Sequence, residues 1–127
     1  MALAIRGVLF DKDGTLIDFF ETWSPLLEQA AHHTAGGDAA LADHLLTLGG
    51  RDPTTKRFRP DSPLAAGTNA DIGRLWATAA GHADAVALTA RLERFFQEQA
   101  VAHARPVTDL VELFGRLRGH GLRLGLA

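Results

Sequence analysis

Near the amino terminus an apolar run, Val8-Leu9-Phe10, gives way at once to Asp11-Lys12-Asp13-Gly14-Thr15. No other junction in the chain constrains the fold so tightly. The run has the length and bulk of a short buried strand. Side chains alternate faces along a strand, so Asp11 and Asp13 point the same way if extended geometry persists past Phe10. Two carboxylates converging at the end of a buried strand repel each other, and they need a cation or a proton between them. Gly14 permits a bend that a Cβ would resist. Asp and Gly are also ordinary turn formers, so a plain turn is the competing reading. Average residue usage makes Asp-x-Asp-Gly-Thr an event of roughly one in a thousand for a chain this long, and a preceding strand makes it rarer. The stretch is read as a site.

Composition narrows the chemistry. A chain of 127 residues is usually one domain, and with 46% apolar and 22% charged residues it has the balance of a globular one. The net charge of −2 argues against nucleic acid or an anionic membrane as the main partner. There is no cysteine, which excludes disulfides, thiolate zinc sites and cysteine nucleophiles. No apolar run approaches the roughly 18 residues that mark a membrane span. Met1-Ala2-Leu3-Ala4-Ile5-Arg6 is too short for a signal peptide before charge intervenes, so a cytoplasmic protein is expected. His32 and His33 are adjacent and diverge by about 100° on a helix, which prevents joint chelation. His44, His82, His103 and His120 are scattered, and no glycine-rich phosphate loop occurs.

After the aspartates, Phe19, Phe20 and Trp23 form an aromatic cluster for which ordinary packing is the simplest account. A helix follows from Pro25 to His33, with Ser24 as its cap or a start one turn earlier, and Gly36-Gly37 ends it. Asp38 caps a second helix, Ala39 to Leu48, with Leu41, Leu45 and Leu48 on one face. From Arg51 to Pro63 the prolines Pro53, Pro60 and Pro63 argue against a long helix or a central strand. Arg51, Lys56, Arg57 and Arg59 gather in that loop, either as ordinary solvated charge or as cations for an anionic substrate. Thr68 or Asn69 caps a helix to about Ala80, carrying Ile72, Leu75, Trp76 and Ala79 at helical spacing. A longer one spans about Ala83 to Ala102, with Val86, Leu88, Leu92, Phe95, Phe96 and Val101 as its apolar positions. Arg105-Pro106 breaks it. Thr108 caps a last helix, Asp109 to Arg118, and Leu122 to Ala127 reads as the start of a second buried strand.

The stretch from Phe10 to Asp18 resembles the first motif of the haloacid dehalogenase superfamily in its phosphatase form. That resemblance implies an α/β fold, with a Rossmannoid core of which only the first strands are present and an inserted all-helical cap of the C1 type. By position it makes Asp11 the nucleophile and Asp13 the general acid/base. Mg²⁺ would be held by the Asp11 carboxylate and the Asp13 backbone carbonyl. Gly14 and Thr15, with Arg57 and Arg59 from the cap loop, are the candidate substrate contacts. Members that cleave carbon–halogen bonds generally lack the second Asp, since a halide leaving group needs no proton and an alkoxide does. Asp13 therefore points to phosphoester chemistry, and the branch with a helical cap resembles the phosphoglycolate phosphatases.

The same resemblance divides the chain into strand and motif over 1–18, helical cap over 19–104, and return to the core over 105–127. The aromatics at 19–23 would lie in a short flap between core and cap. Family members also use a Ser or Thr at the end of the second strand, a later Lys and a further acidic pair, and none of these has a counterpart here. Residues 1–127 alone are thus expected to be inactive and poorly stable. The expected activity is Mg²⁺-dependent hydrolysis of a small-molecule phosphate monoester through an aspartyl-phosphate. A phosphomutase of the same superfamily, or a non-catalytic fragment that binds Mg²⁺ or a partner, are the alternatives.

Overall fold

Two short strands, β1 (Gly7–Phe10) and β2 (Arg123–Leu126), pair in parallel, with Gly7 opposite Arg123 and Phe10 opposite Leu126. Between them the computed structural model places six helices: α1 (Phe19–Thr34), α2 (Ala39–Leu48), α3 (Pro63–Ala66), α4 (Asn69–Ala80), α5 (Ala85–His103) and α6 (Leu110–Gly119). The structure describes residues 4–127, so the Met1-Ala2-Leu3 part of the leader reading lies outside the described residues. The chain divides into two units. One comprises Met1–Thr22 with Ala104–Ala127, and the other comprises Trp23–His103. Among the described residues no helix is long and apolar enough to cross a membrane.

The first unit is the sheet with α6 on one face. Along β1, Val8 and Phe10 face one way and Leu9 the other, as alternation requires. Phe10 meets Phe114 of α6 at 5.6 Å between ring centroids. Leu9, on the opposite face, is 70% exposed. The expectation of buried strands is therefore corrected: β1 and β2 are half-buried at best. A parallel sheet needs cover on both faces to bury its strands, and α6 supplies only one. The last helix begins one residue later than expected, because the Asp109 carboxylate, rather than the Thr108 hydroxyl, accepts from the Glu112 N–H. No residue of α6 is fully buried.

Outgoing and returning chain meet at the neck of this unit. Val107 N–H donates to the Leu16 carbonyl at 3.0 Å, and Asp18 N–H donates to the Arg105 carbonyl at 2.8 Å. The Thr22 hydroxyl accepts from Arg105 N–H at 3.0 Å. Thr22 is buried, and so is Leu16. The stretch around Arg105-Pro106 is pinned on both sides of the proline.

The second unit holds a continuous core. Leu26 and Ala31 of α1, Leu45 of α2 and Trp76 of α4 are wholly buried, and Leu88, Leu92 and Phe96 of α5 pack with them. Each such aliphatic side chain contributes about 1.5–3 kcal/mol on leaving water. Trp76 keeps its polar atom satisfied, since Nε1–H donates to the Leu45 carbonyl at 3.0 Å. Close approach of α4 and α5 depends on Gly73, where a Cβ would collide with Thr89.

Several local expectations change. Helix α1 starts at Phe19, so Phe19, Phe20 and Trp23 lie in its first turns and not in a flap. Its cap is Asp18, whose carboxylate accepts from Glu21 N–H at 2.8 Å, and Pro25 sits inside the helix. On α2 the buried positions are Ala42, Leu45 and Leu46, while Leu48 is exposed. Val86 and Val101 of α5 are likewise exposed. The cap of α4 is Thr68, in a reciprocal box with Asp71. Arg51 is not a solvated loop charge. It is only 5% exposed and pairs with Glu28 of α1 at 3.2 Å and with Asp43 of α2.

Candidate functional site

The sheet ladder stops at Phe10, whose carbonyl accepts from Ala127 N–H at 2.7 Å. Beyond it the backbone closes on itself. The Lys12 carbonyl accepts from the N–H groups of Leu16, at 2.9 Å, and of Ile17, at 3.1 Å, while Gly14 N–H donates to Ile17 at 2.9 Å. This small loop requires a positive φ of 79° at Gly14, which a side chain would strain. Leu16, buried at 5% exposure, anchors the loop from below. Asp11, Lys12, Asp13 and Thr15 are left on its exposed side.

Alternation along a strand was the ground for expecting Asp11 and Asp13 to share a face. The ladder does not extend far enough to impose it, and the turn after Phe10 sets their directions instead. Their mutual repulsion is eased in two ways. Both residues are exposed to water, and Lys12 Nζ stands 3.5 Å from the Asp13 carboxylate. An exposed pair of this kind is worth about 0–1 kcal/mol. Its effect is chemical: Lys12, assigned no role from the sequence, puts positive charge beside Asp13. Its position between two aspartates was the available signal. The Asp11 carboxylate makes no hydrogen bond or ion pair with another described residue, so it is open to a cation or an electrophile.

No family model, curated protein or solved structure matches the chain. What the loop can do is read from its own donors and acceptors. A hard divalent cation such as Mg²⁺ takes oxygen ligands, keeps several waters, and is commonly bound through one or two carboxylates plus substrate phosphate. An unengaged Asp11 carboxylate on an exposed loop fits that donor chemistry. Among the described residues no cluster of three or more His, Asp or Glu side chains stands ready to hold a metal. The remainder of the shell would come from water and substrate oxygens.

The other expected contacts are divided between the two units. Thr15 is exposed, and its N–H donates to the Lys12 carbonyl at 3.3 Å. Arg57 and Arg59 belong to the helical unit, on the loop closed by an antiparallel bridge between Arg51 and Phe58. Their backbone is ordered by that loop: the Arg57 carbonyl accepts from Asp52 N–H, and Arg59 N–H donates to the Gly50 carbonyl. Asp52 organises the turn through the N–H groups of Thr55 and Thr54. Those hydrogen bonds, with a smaller contribution from the Arg59 charge, hold its carboxyl below the ordinary range.

Proposed function

We propose that Asp11 and Asp13 are the nucleophile and the acid/base of a Mg²⁺-dependent phosphomonoesterase site, and that the chain belongs with the haloacid dehalogenase-like phosphatases, with residues 23–103 as their helical cap. The observation that carries this reading is the Asp11-Lys12-Asp13-Gly14-Thr15 loop at the end of β1, with the Asp11 carboxylate unengaged. In the first step an Asp11 oxygen forms a bond to phosphorus as the ester P–O bond breaks, and protonated Asp13 gives its proton to the departing alkoxide. In the second, Asp13 takes a proton from water, which attacks the aspartyl-phosphate and releases inorganic phosphate. The first step needs the two carboxyls in different protonation states, Asp11 ionised and Asp13 protonated. Bound Mg²⁺ would offset the negative charge that keeps a carboxylate from a phosphate dianion.

Residues 1–127 include no group assigned to hold the transferring phosphate, so this chain alone is expected to show no Mg²⁺-dependent hydrolysis of p-nitrophenyl phosphate. The positive test is metal binding followed by amide NMR. Millimolar Mg²⁺ should shift the Asp11 to Thr15 resonances, and Asp11→Asn should remove the response. Shifts that survive in the Asn variant, or none in the parent chain, reject the assignment. In a protein that also carries the phosphate-holding groups, Asp11→Asn should abolish turnover.

A further inference from the structure

Helices α1 and α5 of the helical unit enclose a pocket of about 240 Å³. That is just below the usual range for ligand cavities, about 300 to 1,000 Å³, and leaves room only for a small molecule. The floor is apolar and buried: Ala30, Leu88 and Leu92 are each less than 5% exposed. Phe95 forms a wall, and the His33 ring is held edge-on against it at 5.7 Å and 84°. The polar groups of Thr34 are already committed. Its hydroxyl donates to the Ala30 carbonyl, and its own carbonyl is bonded to His82 Nε2.

Arg91 and His33 remain at the rim. Arg91 makes no ion pair or hydrogen bond with another described residue. No carboxylate lines the pocket among the described residues. Other concave regions of this unit differ on that point. The cavity around Arg51 contains Glu28 and Asp43, which already neutralise its guanidinium. The shallow groove beside Arg74 includes Glu93, and Arg74 is itself bound to Asp71 at 2.6 Å. The α1–α5 pocket alone of these three presents uncompensated cationic character over an apolar floor.

We propose that this pocket binds a small apolar carboxylate, with its aryl or hydrocarbon body on Leu88, Leu92 and Phe95 and its carboxylate facing Arg91 and the His33 ring. Body and charge are both needed. The floor offers an ionised headgroup nothing, and the rim offers a neutral hydrocarbon no orientation. The site lies wholly within residues 23–103 and is independent of the chemistry assigned to Asp11 and Asp13.

The test is a titration of the whole chain with benzoate, followed by amide NMR, alongside benzyl alcohol and benzylamine as neutral and cationic counterparts. Saturable benzoate shifts are expected at Ala30, His33, Leu88, Leu92 and Phe95, with benzyl alcohol binding at least about tenfold more weakly and benzylamine not at all. Arg91→Gln should weaken benzoate by about tenfold while retaining the dispersion of the parent spectrum, since Arg91 is exposed. Benzyl alcohol binding as well as benzoate, shifts mapping elsewhere, unchanged affinity in the Gln variant, or no saturable response would each overturn the proposal.

Discussion

The helical unit and the sheet unit bury their apolar residues to very different degrees. In the first, Trp76, Leu26 and Leu45 are sealed from water within a core to which five helices contribute. In the second, Leu9, Val111 and Leu126 are 70%, 86% and 64% exposed, and α6 contributes no fully buried residue. Both are built from similar residue types, so the difference is architectural. A bundle of helices can turn each apolar stripe toward a common centre. A two-stranded parallel sheet presents two faces and two edges, and a single helix closes only one of those faces. Stability should therefore reside mainly in residues 23–103, while the aspartate loop rides on the thinner unit.

The largest test of that contrast is Trp76→Ala. It should cost about 3–5 kcal/mol, seen as a large fall in the unfolding midpoint. The loss is mainly cavity, because the Leu45 carbonyl that Trp76 served keeps the Gly49 N–H as a second donor. Phe114→Ala, which removes the ring contact between α6 and β1, should cost well under half as much. Comparable losses would mean that the sheet unit is better covered than its exposed leucines indicate.

A smaller effect is expected at Arg51. Removing one partner of a buried pair usually strands the other charge, but Glu28 and Asp43 are 48% and 53% exposed and would simply hydrate. Arg51→Ala should cost about 1–2 kcal/mol, as lost hydrogen bonds and packing of the stem. Arg51→Met should recover the packing share. A loss as large as that of Trp76→Ala would identify the ion cluster, not the apolar core, as the keystone of the helical unit.

The smallest effect is on acid stability. Hydrogen bonds from Thr68, first its N–H and then its hydroxyl, together with the Arg74 charge, lower the Asp71 carboxyl. Asp52 is lowered in the same sense by Thr55 and Thr54. A depressed folded value means stabilisation that is complete above the unfolded pKa of about 3.9 and is lost as pH falls through the folded value. Thermal midpoints should be insensitive to these two groups from neutrality to about pH 5 and should decline below about pH 4. Asp71→Asn should flatten part of that decline. An unchanged slope would remove Asp71 from the account.

Legibility in the sequence followed locality. Helix α2, with its Asp38 cap, and the Thr68 cap of α4 were readable because a capping side chain and its N–H target lie within one turn. The start of α1 was placed at Pro25 or one turn before it, still short of Phe19, because proline favours the first turn. The competing signal, Asp18 followed three residues later by Glu21, was equally local and was the one that held. The burial of Arg51 was illegible, since Glu28 and Asp43 reach it from two different helices. Leu48, Val86 and Val101 fit their helical stripes but lie at the margins of faces whose width is set by neighbouring helices. The aspartate loop was visible for the same reason as the caps. Its Gly14 bend involves only adjacent residues, and so does the Lys12–Asp13 pair, to which the sequence reading gave no role.

At the neck, Thr22 and Arg105 are one hydrogen bond apart, so everything between them is a closed excursion from a fixed base. The entropy of closing such an excursion grows only with the logarithm of its length, at about 0.6 kcal/mol per doubling. Residues can thus be added to, removed from or exchanged within the helical unit at little cost to the loop bearing Asp11. The neck works as a socket: it allows one part of the chain to diversify while the other keeps its shape.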